Sequence, residues 1–504
     1  FRRVLFRSLD DPLTKIVVSY VEGVTDGRAL MAAGYKAVKL GKPILLWKGG
    51  RREQGLKAAA SHTASMTGSY DIYRAALKQS GIIEVRDMDE LADLVQVFAS
   101  GRIPRGPRIA LLGGSGGSAI VFADACDEDG LSLPAPSAAT VTKLKDFVPG
   151  IGSVANPIDF AAGFLADNLA PKFAGAVDAV LADDNIDQLC VMLATVQGRQ
   201  AENGARILAD AAVRYGKPVL VFSSLPRETM EAAATIFSDA KIPVLPSPTR
   251  VAHAAALCTR YFESLQSLIG RAAGSDSSGT PDRTQRRILN EWDSTQLLAS
   301  HGVPVIAHTR LNADGAGSLD AIRYPAALKV LSQDLPHKSD VGGVRLNIRD
   351  RADLEAAIPA MLDTVGRAAP DAKIEGLLVS EMVKDVVEML VGIINDEVFG
   401  PTVLLGFGGT LAEILRDRAY RVAPFDADVA REMIAEMKGS SLLAGQRGQA
   451  PRDVDALVHL VSAISQMAWT LRSQLIELDI NPLFVRARSE GVVAGDALVV
   501  KGGA

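Results

Sequence analysis

From Lys15 to about residue 105, short β-branched runs alternate with stretches whose apolar residues recur at helical spacing. Strands are predicted at Lys15–Tyr20, Ile44–Trp47 and Ile82–Val85, and helices at Gly27–Leu40, Tyr70–Gln79 and Met88–Phe98. Such alternation predicts a parallel sheet with helices on both faces. Gly101–Gly106, with Pro104, reads as a linker. The alternation then resumes. A strand at Arg108–Leu112 runs through a glycine-rich turn into a helix over Ser118–Asp129, and Ser137 has the character of an N-cap for a helix over Ala138–Phe147. Further strands are expected at Gln188–Ala194, Pro218–Ser223 and Ile242–Pro246, with a closing helix over Thr249–Ser267. The small and polar residues of Gly270–Arg283 cannot bury a core, so this stretch is a second linker. Beyond it the pattern changes. A capped helix near Asp293–Ser300 and a strand near Pro304–His308 precede β-rich runs at Ala326–Val330, Gly343–Ile348 and Gly376–Ile394. Long helices lie between and after them, a mix that suits an α+β nucleotide-binding fold.

Composition narrows the class. The 504 residues suggest about three domains of roughly 150 residues each. Apolar residues make up 48% and charged residues 22%, an ordinary globular balance. A net charge of −5 without a long basic block argues against nucleic acid or a membrane surface as a partner. No apolar run reaches the ~18–20 residues that span a bilayer. Cys126, Cys190 and Cys258 lie far apart without metal spacing, and no secretory signal precedes them, so a reducing, cytoplasmic setting is expected. The basic Phe1–Ser8 stretch stands out from the mildly acidic remainder. Residues 1–9 are expected to be a non-native junction and are set aside from the fold.

Several stretches carry candidate chemistry. His62 sits in Ala58–Ser69 among small and hydroxyl residues, between a predicted strand and a predicted helix, where an imidazole has room to react. The plain alternative is a loop histidine without a role. Gly113–Ala119 follows a strand and opens a helix. Gly114-x-Gly116-x-x-Ala119 fits the dinucleotide fingerprint in form, but no acidic residue ends a following strand at the right distance, and no Lys-Ser/Thr pair makes it a P-loop. A glycine turn feeding a helix N-terminus still offers N–H groups and a positive dipole end to an anion, or simply lets helix and sheet pack closely. Lys329 ends the apolar run Pro325–Val330, where it can hold a nucleotide phosphate or be solvated. Pro336–Gly343 places His337 beside lysine and aspartate in a loop ending in paired glycines, as in a phosphate-handling loop. In Glu477–Pro482 acidic and apolar residues alternate, which puts Glu477, Asp479 and Asn481 on one side of a strand, and Asp496 ends a second strand after a turn. Oxygen ligands on adjacent strands suit Mg²⁺ carried with a nucleotide, or form a polar sheet face.

Taken together the segments resemble the NDP-forming acyl-CoA synthetases, the acetate–CoA ligase (ADP-forming) family related to succinyl-CoA synthetase. The carriers, in order, are Tyr20–Gly27, Ser61–Ser69, Asn156–Asp159, His337–Val344, Phe399–Pro401 with Gly406–Gly409, Gly445–Gly448 and Leu478–Leu483. The resemblance implies two flavodoxin-like (succinyl-CoA synthetase-like) parallel-sheet α/β domains, 10–105 and 106–269, then a linker at 270–284 and an α+β ATP-grasp domain at 285–504. It implies that His62 is transiently phosphorylated, that Glu22 orients it, and that His337 is a second histidine that shuttles phosphate. It implies that Lys329 contacts nucleotide phosphates and Glu388 lies in the nucleotide cleft. Asn481 and Asp496 would hold Mg²⁺, and the Gly114, Gly116 and Gly117 turn would point a helix N-terminus at phosphate.

The implied reaction is reversible: acyl-CoA, ADP and phosphate give carboxylic acid, CoA and ATP through an acyl phosphate. Implied ligands are ATP or ADP, Mg²⁺, coenzyme A, phosphate and a small carboxylic acid, and a homo-oligomer, a dimer, is expected. Members of this single-chain type begin with a CoA-binding domain, so the CoA site is expected on a segment preceding this sequence. Ala64, where glycine is common, and Gly495 before Asp496 depart from the pattern without removing a functional group. Two alternatives stand beside this reading: a non-catalytic nucleotide- or acyl-binding homologue, or a fragment able only to exchange phosphate between ATP and His62. An ATP-grasp carboxylate–amine ligase would leave the histidine loop and both sheet domains unexplained.

Overall fold

A computed structural model describes residues 2–52, 54, 69–161, 165–271, 280–335, 338–409, 417–445 and 450–503. His62 and His337 lie outside the described residues. The chain divides into two compact units. One comprises Phe1–Val24, Ala29–Thr67 and Ser80–Ala273; the other comprises Thr25–Arg28, Gly68–Gln79 and Gly274–Ala504.

The first unit opens with helix α1 (Arg2–Asp10), in which Leu5 and Leu9, one turn apart, are both buried. A segment set aside on its basic composition thus forms a helix with an apolar contact. Strands β1 (Val17–Val21), β2 (Ile44–Lys48) and β3 (Ile83–Val85) pair in parallel in the order β1-β2-β3. Helix α2 (Gly27–Leu40) connects β1 to β2 and α4 (Met88–Ala99) follows β3, while helix α3 (Tyr70–Gln79), which precedes β3 in the chain, belongs to the second unit. Asp87 caps α4 by accepting from the Glu90 amide.

A second parallel sheet holds β4 (Ile109–Gly113), β5 (Ile158–Asp159), β6 (Gln188–Ala194), β7 (Val219–Ser223) and β8 (Val244–Leu245), in the order β5-β4-β6-β7-β8. In chain order this is 2-1-3-4-5, the doubly wound flavodoxin-like arrangement. Its helices are α5 (Gly116–Asp129), α6 (Ala138–Phe147), α7 (Ala170–Leu181), α8 (Gly198–Tyr215), α9 (Glu231–Asp239) and α10 (Pro248–Leu268). Alternate residues of β4 serve opposite faces. Ala110 and Leu112 pack with Phe173 and Leu208 of α7 and α8, while Ile109 and Leu111 pack with Phe122 of α5 and Val251 of α10. The latter cluster also takes in Leu45, Ile83 and Val85, so the two parallel sheets share one core. The Asn156–Asp159 motif has a structural task here. The Asn156 amide donates to the Ile109 and Pro134 carbonyls at 2.9 and 3.0 Å and accepts from the Leu111 amide at 3.0 Å, which fixes the start of β4.

The second unit is built on antiparallel sheets. The larger, seven-stranded sheet contains β9 (Asp282–Ile288), β14 (Val387–Asp396), β15 (Gly400–Phe407), β16 (Arg418–Val422), β17 (Leu475–Val485), β18 (Val492–Ala494) and β19 (Ala497–Gly503). The smaller contains β10 (His308–Leu311), β11 (Ala326–Leu331), β12 (Val344–Ile348) and β13 (Gly376–Glu381), in the order β10-β13-β11-β12. Helix α11 (Glu291–Ser300) starts two residues before the expected position, because Asn290 is its cap and accepts from the Asp293 amide. The strand expected at Pro304–His308 begins where that prediction ended, at His308. Helix α12 (Arg351–Ala368) covers the smaller sheet through Leu354, Met361 and Val365, and α13 (Ala427–Ala435) and α14 (Val454–Thr470) cover the larger.

Candidate nucleotide and phosphate sites

Lys329 lies within β11 rather than at its end, because the strand continues to Leu331. Its neighbours in the strand are buried, and its own side chain is 12% exposed. An ammonium in such a place needs anionic partners. It has two: Nζ donates to Glu291 Oε1 at 2.6 Å and to Asp496 Oδ2 at 2.9 Å. Burial works against its charge, yet Asp496 and Glu291 outweigh burial and hold its pKa above the usual lysine value. Lys329 is therefore charged across the physiological range and available to an anion that competes for it.

Asp496 sits in the turn between β18 and β19, and its carbonyl accepts from the Asn481 amide at 3.3 Å. The two expected oxygen donors are thus on adjacent backbone segments. Along β17, Glu477 and Asn481 are exposed and Asp479 half-buried, while Leu478 and Ile480 face the core, as the alternation predicts. Burial, with repulsion from Glu477 and Asp496, raises the Asp479 carboxyl above its usual range. Lys329 and Arg418 relieve that repulsion only in part, and carboxylates beside an amide oxygen are a donor set that suits a small divalent cation. Among the described residues, however, no group of three or more His, Cys, Asp and Glu side chains is placed to hold a metal alone.

Glu388 is exposed near the start of β14, opposite Phe484 of β17, and its carbonyl accepts from the Gly408 amide at 2.8 Å. It shares the sheet with Asn481 but makes no hydrogen bond with Lys329 or Asp496. In the first unit, Gly116 and Gly117 open α5. Ser115 at its cap accepts from no helix amide, its Oγ donating instead to Ser118 Oγ at 3.1 Å, and a Cβ on either glycine would meet nothing within 4 Å. The first-turn N–H groups thus have no acceptor in the Ser115 side chain.

Glu22 follows β1 in the same unit. Tyr20 Oη donates to its Oε1 at 3.4 Å, and Oε2 is buried without a hydrogen-bond partner among the described residues. Lys48 Nζ donates to the Glu22 carbonyl at 2.6 Å, and burial holds the Lys48 pKa below its usual value despite attraction to Glu22. Gly49 belongs to this arrangement: a Cβ there would lie 2.7 Å from the Tyr20 hydroxyl.

Sequence reasoning missed Glu291, and it noted Lys338 only as the lysine beside His337 in the phosphate-handling loop. Glu291 is the first residue of α11, with its side chain 1% exposed, and Lys338 also donates to it. The signal was present: Asn290 and Asp293 form a cap-and-N3 pair that sets Glu291 at the helix start.

The comparisons agree with this architecture. An ATP-grasp domain model matches residues 282–500, and a succinyl-CoA ligase-like flavodoxin domain model matches residues 2–98. An acetate–CoA ligase [ADP-forming] I of Archaeoglobus fulgidus is 33% identical over 494 residues, covering 96% of this chain and 70% of that protein. A 4-hydroxybutyrate–CoA ligase [ADP-forming] of Nitrosopumilus maritimus is 29% identical, covering 95% of this chain and 69% of its own. A Ca. Korarchaeum cryptofilum dinucleotide-forming acetyl-coenzyme A synthetase 1, solved in complex with phosphate and ADP, is 29% identical over 53% of this chain and 57% of its own, with a TM-score of 0.48.

Proposed function

Because this chain belongs to the ADP-forming acetate–CoA ligases, which are acid–thiol ligases, we propose that it interconverts acyl-CoA, ADP and phosphate with carboxylic acid, CoA and ATP through a phosphohistidine at His62. The observation that carries the nucleotide half is the Lys329–Asp496 pair: a buried cation for phosphate beside a carboxylate for its metal. Relatives differ in the acid they are named for, acetate in one and 4-hydroxybutyrate in another, so the acid is proposed here only as a small carboxylate.

In this reading a phosphate oxygen attacks the thioester carbonyl, the C–S bond breaks, and CoA leaves as the thiol with acyl phosphate formed. A neutral His62 nitrogen then attacks phosphorus, the P–O bond to the acyl group breaks, and the carboxylate leaves. Two transfers replace one difficult one. Glu22 accepts the other ring N–H, so the reactive nitrogen keeps its lone pair. Its buried, unpartnered Oε2 is suited to that bond. The open N-terminus of α5 offsets charge on the phosphoryl group. The phosphoryl group then passes to His337, whose ring nitrogen attacks phosphorus as the His62 P–N bond breaks, and an ADP β-phosphate oxygen attacks that phosphorus in turn, the second P–N bond breaking as ATP forms.

Asn481 and Asp496 would hold Mg²⁺, which when bound neutralises charge on the phosphates. Lys329 orients the phosphate chain, and Glu388 lines the cleft. Titrating ADP with Mg²⁺ into the purified chain tests the nucleotide half. Lys329→Ala is expected to weaken binding about 10- to 100-fold, the loss of a charge-assisted contact worth ~1.5–3 kcal/mol. Unchanged affinity would remove Lys329 from the site.

A further inference from the structure

Glu291 holds two ammonium groups where an ordinary buried ion pair holds one. Its Oε1 accepts from Lys329 at 2.6 Å and its Oε2 from Lys338. The carboxylate is 1% exposed and each lysine side chain 12%, so neither lysine is a solvated surface group. Both are held side by side on one acceptor. The backbone of Lys338 is fixed as well. Its carbonyl accepts from the Gly343 amide at 2.8 Å, and the Gly343 carbonyl accepts from Val330, the residue after Lys329, at 2.9 Å. A Cβ on Gly343 would lie 2.5 Å from Val330 Cγ1 and 2.9 Å from the Lys338 carbonyl, so only glycine permits this closure. The turn before it needs Gly342 at φ +71°.

We propose that Glu291 is a positioning residue that sets Lys338 beside Lys329, so that both ammonium groups meet the phosphate chain of a nucleoside diphosphate or triphosphate. The inference rests on the nucleotide reading above and adds Lys338 as a phosphate contact and Glu291 as its support. The charge balance supports it. Two lysines face Glu291 and Asp496, and the four formal charges cancel. Were Asp496 to hold a metal accompanying the nucleotide, Lys329, Lys338 and Glu291 would be left with a net positive charge for the phosphates. A preset pair of cations spares the ordering of two long side chains on binding.

The test compares binding of ADP and of adenosine, which lacks phosphate, by the full chain and its Glu291→Gln, Lys338→Met and doubly substituted forms. Each single substitution is expected to weaken ADP about tenfold and leave adenosine unchanged, as for loss of one charge-assisted contact. The double variant is expected to be little weaker than Glu291→Gln alone, because that substitution already releases Lys338. If Lys338→Met binds ADP as the unsubstituted chain does, the proposal falls, whatever Glu291→Gln does to folding. It falls too if Glu291→Gln weakens adenosine as much as ADP, which marks a merely structural carboxylate. If the unsubstituted chain fails to bind ADP with Mg²⁺, the nucleotide reading falls, and the proposal with it.

Discussion

Lys329 and His253 show how a titrating side chain means different things in different settings. Lys329 faces two carboxylates in the ATP-grasp unit and is read as a ligand group. His253, on α10 of the first unit, is clamped at both nitrogens, Nε2 to Glu90 at 2.6 Å and Nδ1 to Asp129 at 2.9 Å. The Glu90 hydrogen bond, helped by Asp129 and opposed by burial and Arg86, raises the His253 pKa. On the Glu90 side, burial works to raise the carboxyl, but His253 and the Arg86 amide hold it below its usual range. With its folded pKa raised, His253 contributes stability that is fully present below about pH 6.5 and is lost as pH rises through the folded pKa. Glu90 contributes in the opposite sense, losing its share as pH falls through its lowered value. Thermal melts of the chain and of His253→Gln should therefore differ most near pH 6, and the gap should close toward pH 9. A gap that widens with pH would show that His253 is neutral in this clamp. None of this was legible in the sequence, because Glu90, Asp129 and His253 come together only when α4, α5 and α10 pack. Lys329 was legible as a lysine in an apolar strand and Asn481 and Asp496 as polar positions on neighbouring strands, but only the family resemblance joined the three.

At the scale of elements, period and capping signals located α2 to α6, α10 and α11 to within two residues at each end, and gave the other helices no bounds. Ser137 before α6 and Asp87 before α4 act as their caps. Helix α11 starts two residues earlier than expected because of its local cap Asn290, and β10 begins only at His308. Helix α3 shows a contact no local pattern reveals. The Gln79 amide donates to the Val422 carbonyl at 2.9 Å and accepts from the Val422 amide at 2.8 Å. It thereby completes the outer edge of β16, the end strand of the large sheet, as another strand would. Tyr73 packs edge-on against Phe399, Lys78 pairs with Glu436, and Glu436 also receives both arms of Arg421 at 2.7 and 2.9 Å. Gln79→Ala leaves both Val422 groups without partners and should cost about 1–3 kcal/mol. Hydrogen exchange reads this locally. The Val422 amide should lose protection in the variant, and undiminished protection there would mean that the edge is closed by other means.

For the whole molecule, the chain reads as a linear series of domains, but its units interleave. Thr25–Arg28 and Gly68–Gln79 cluster with the ATP-grasp residues although each is flanked by residues of the other unit. Arg28 explains part of this: Nη2 donates to the Ala423 carbonyl at 2.5 Å, and its guanidinium lies 4.3 Å from the Trp469 ring centre. Contacts spanning almost 400 residues leave no periodic trace, whereas the flavodoxin-like and ATP-grasp character did, through alternation and ordered motifs. Among the described residues no helix is long and apolar enough to cross a membrane. The chain's chemistry turns on whether phosphoryl passes through His62, and one measurement reaches it most directly. The purified chain is incubated with ATP labelled at the γ-phosphate and Mg²⁺, and the protein-bound label is followed through acid, base and added ADP. The account predicts a label that acid removes, base spares and ADP discharges as ATP, and that is missing from His62→Ala. Label retained in His62→Ala, or a label that survives acid, would contradict it.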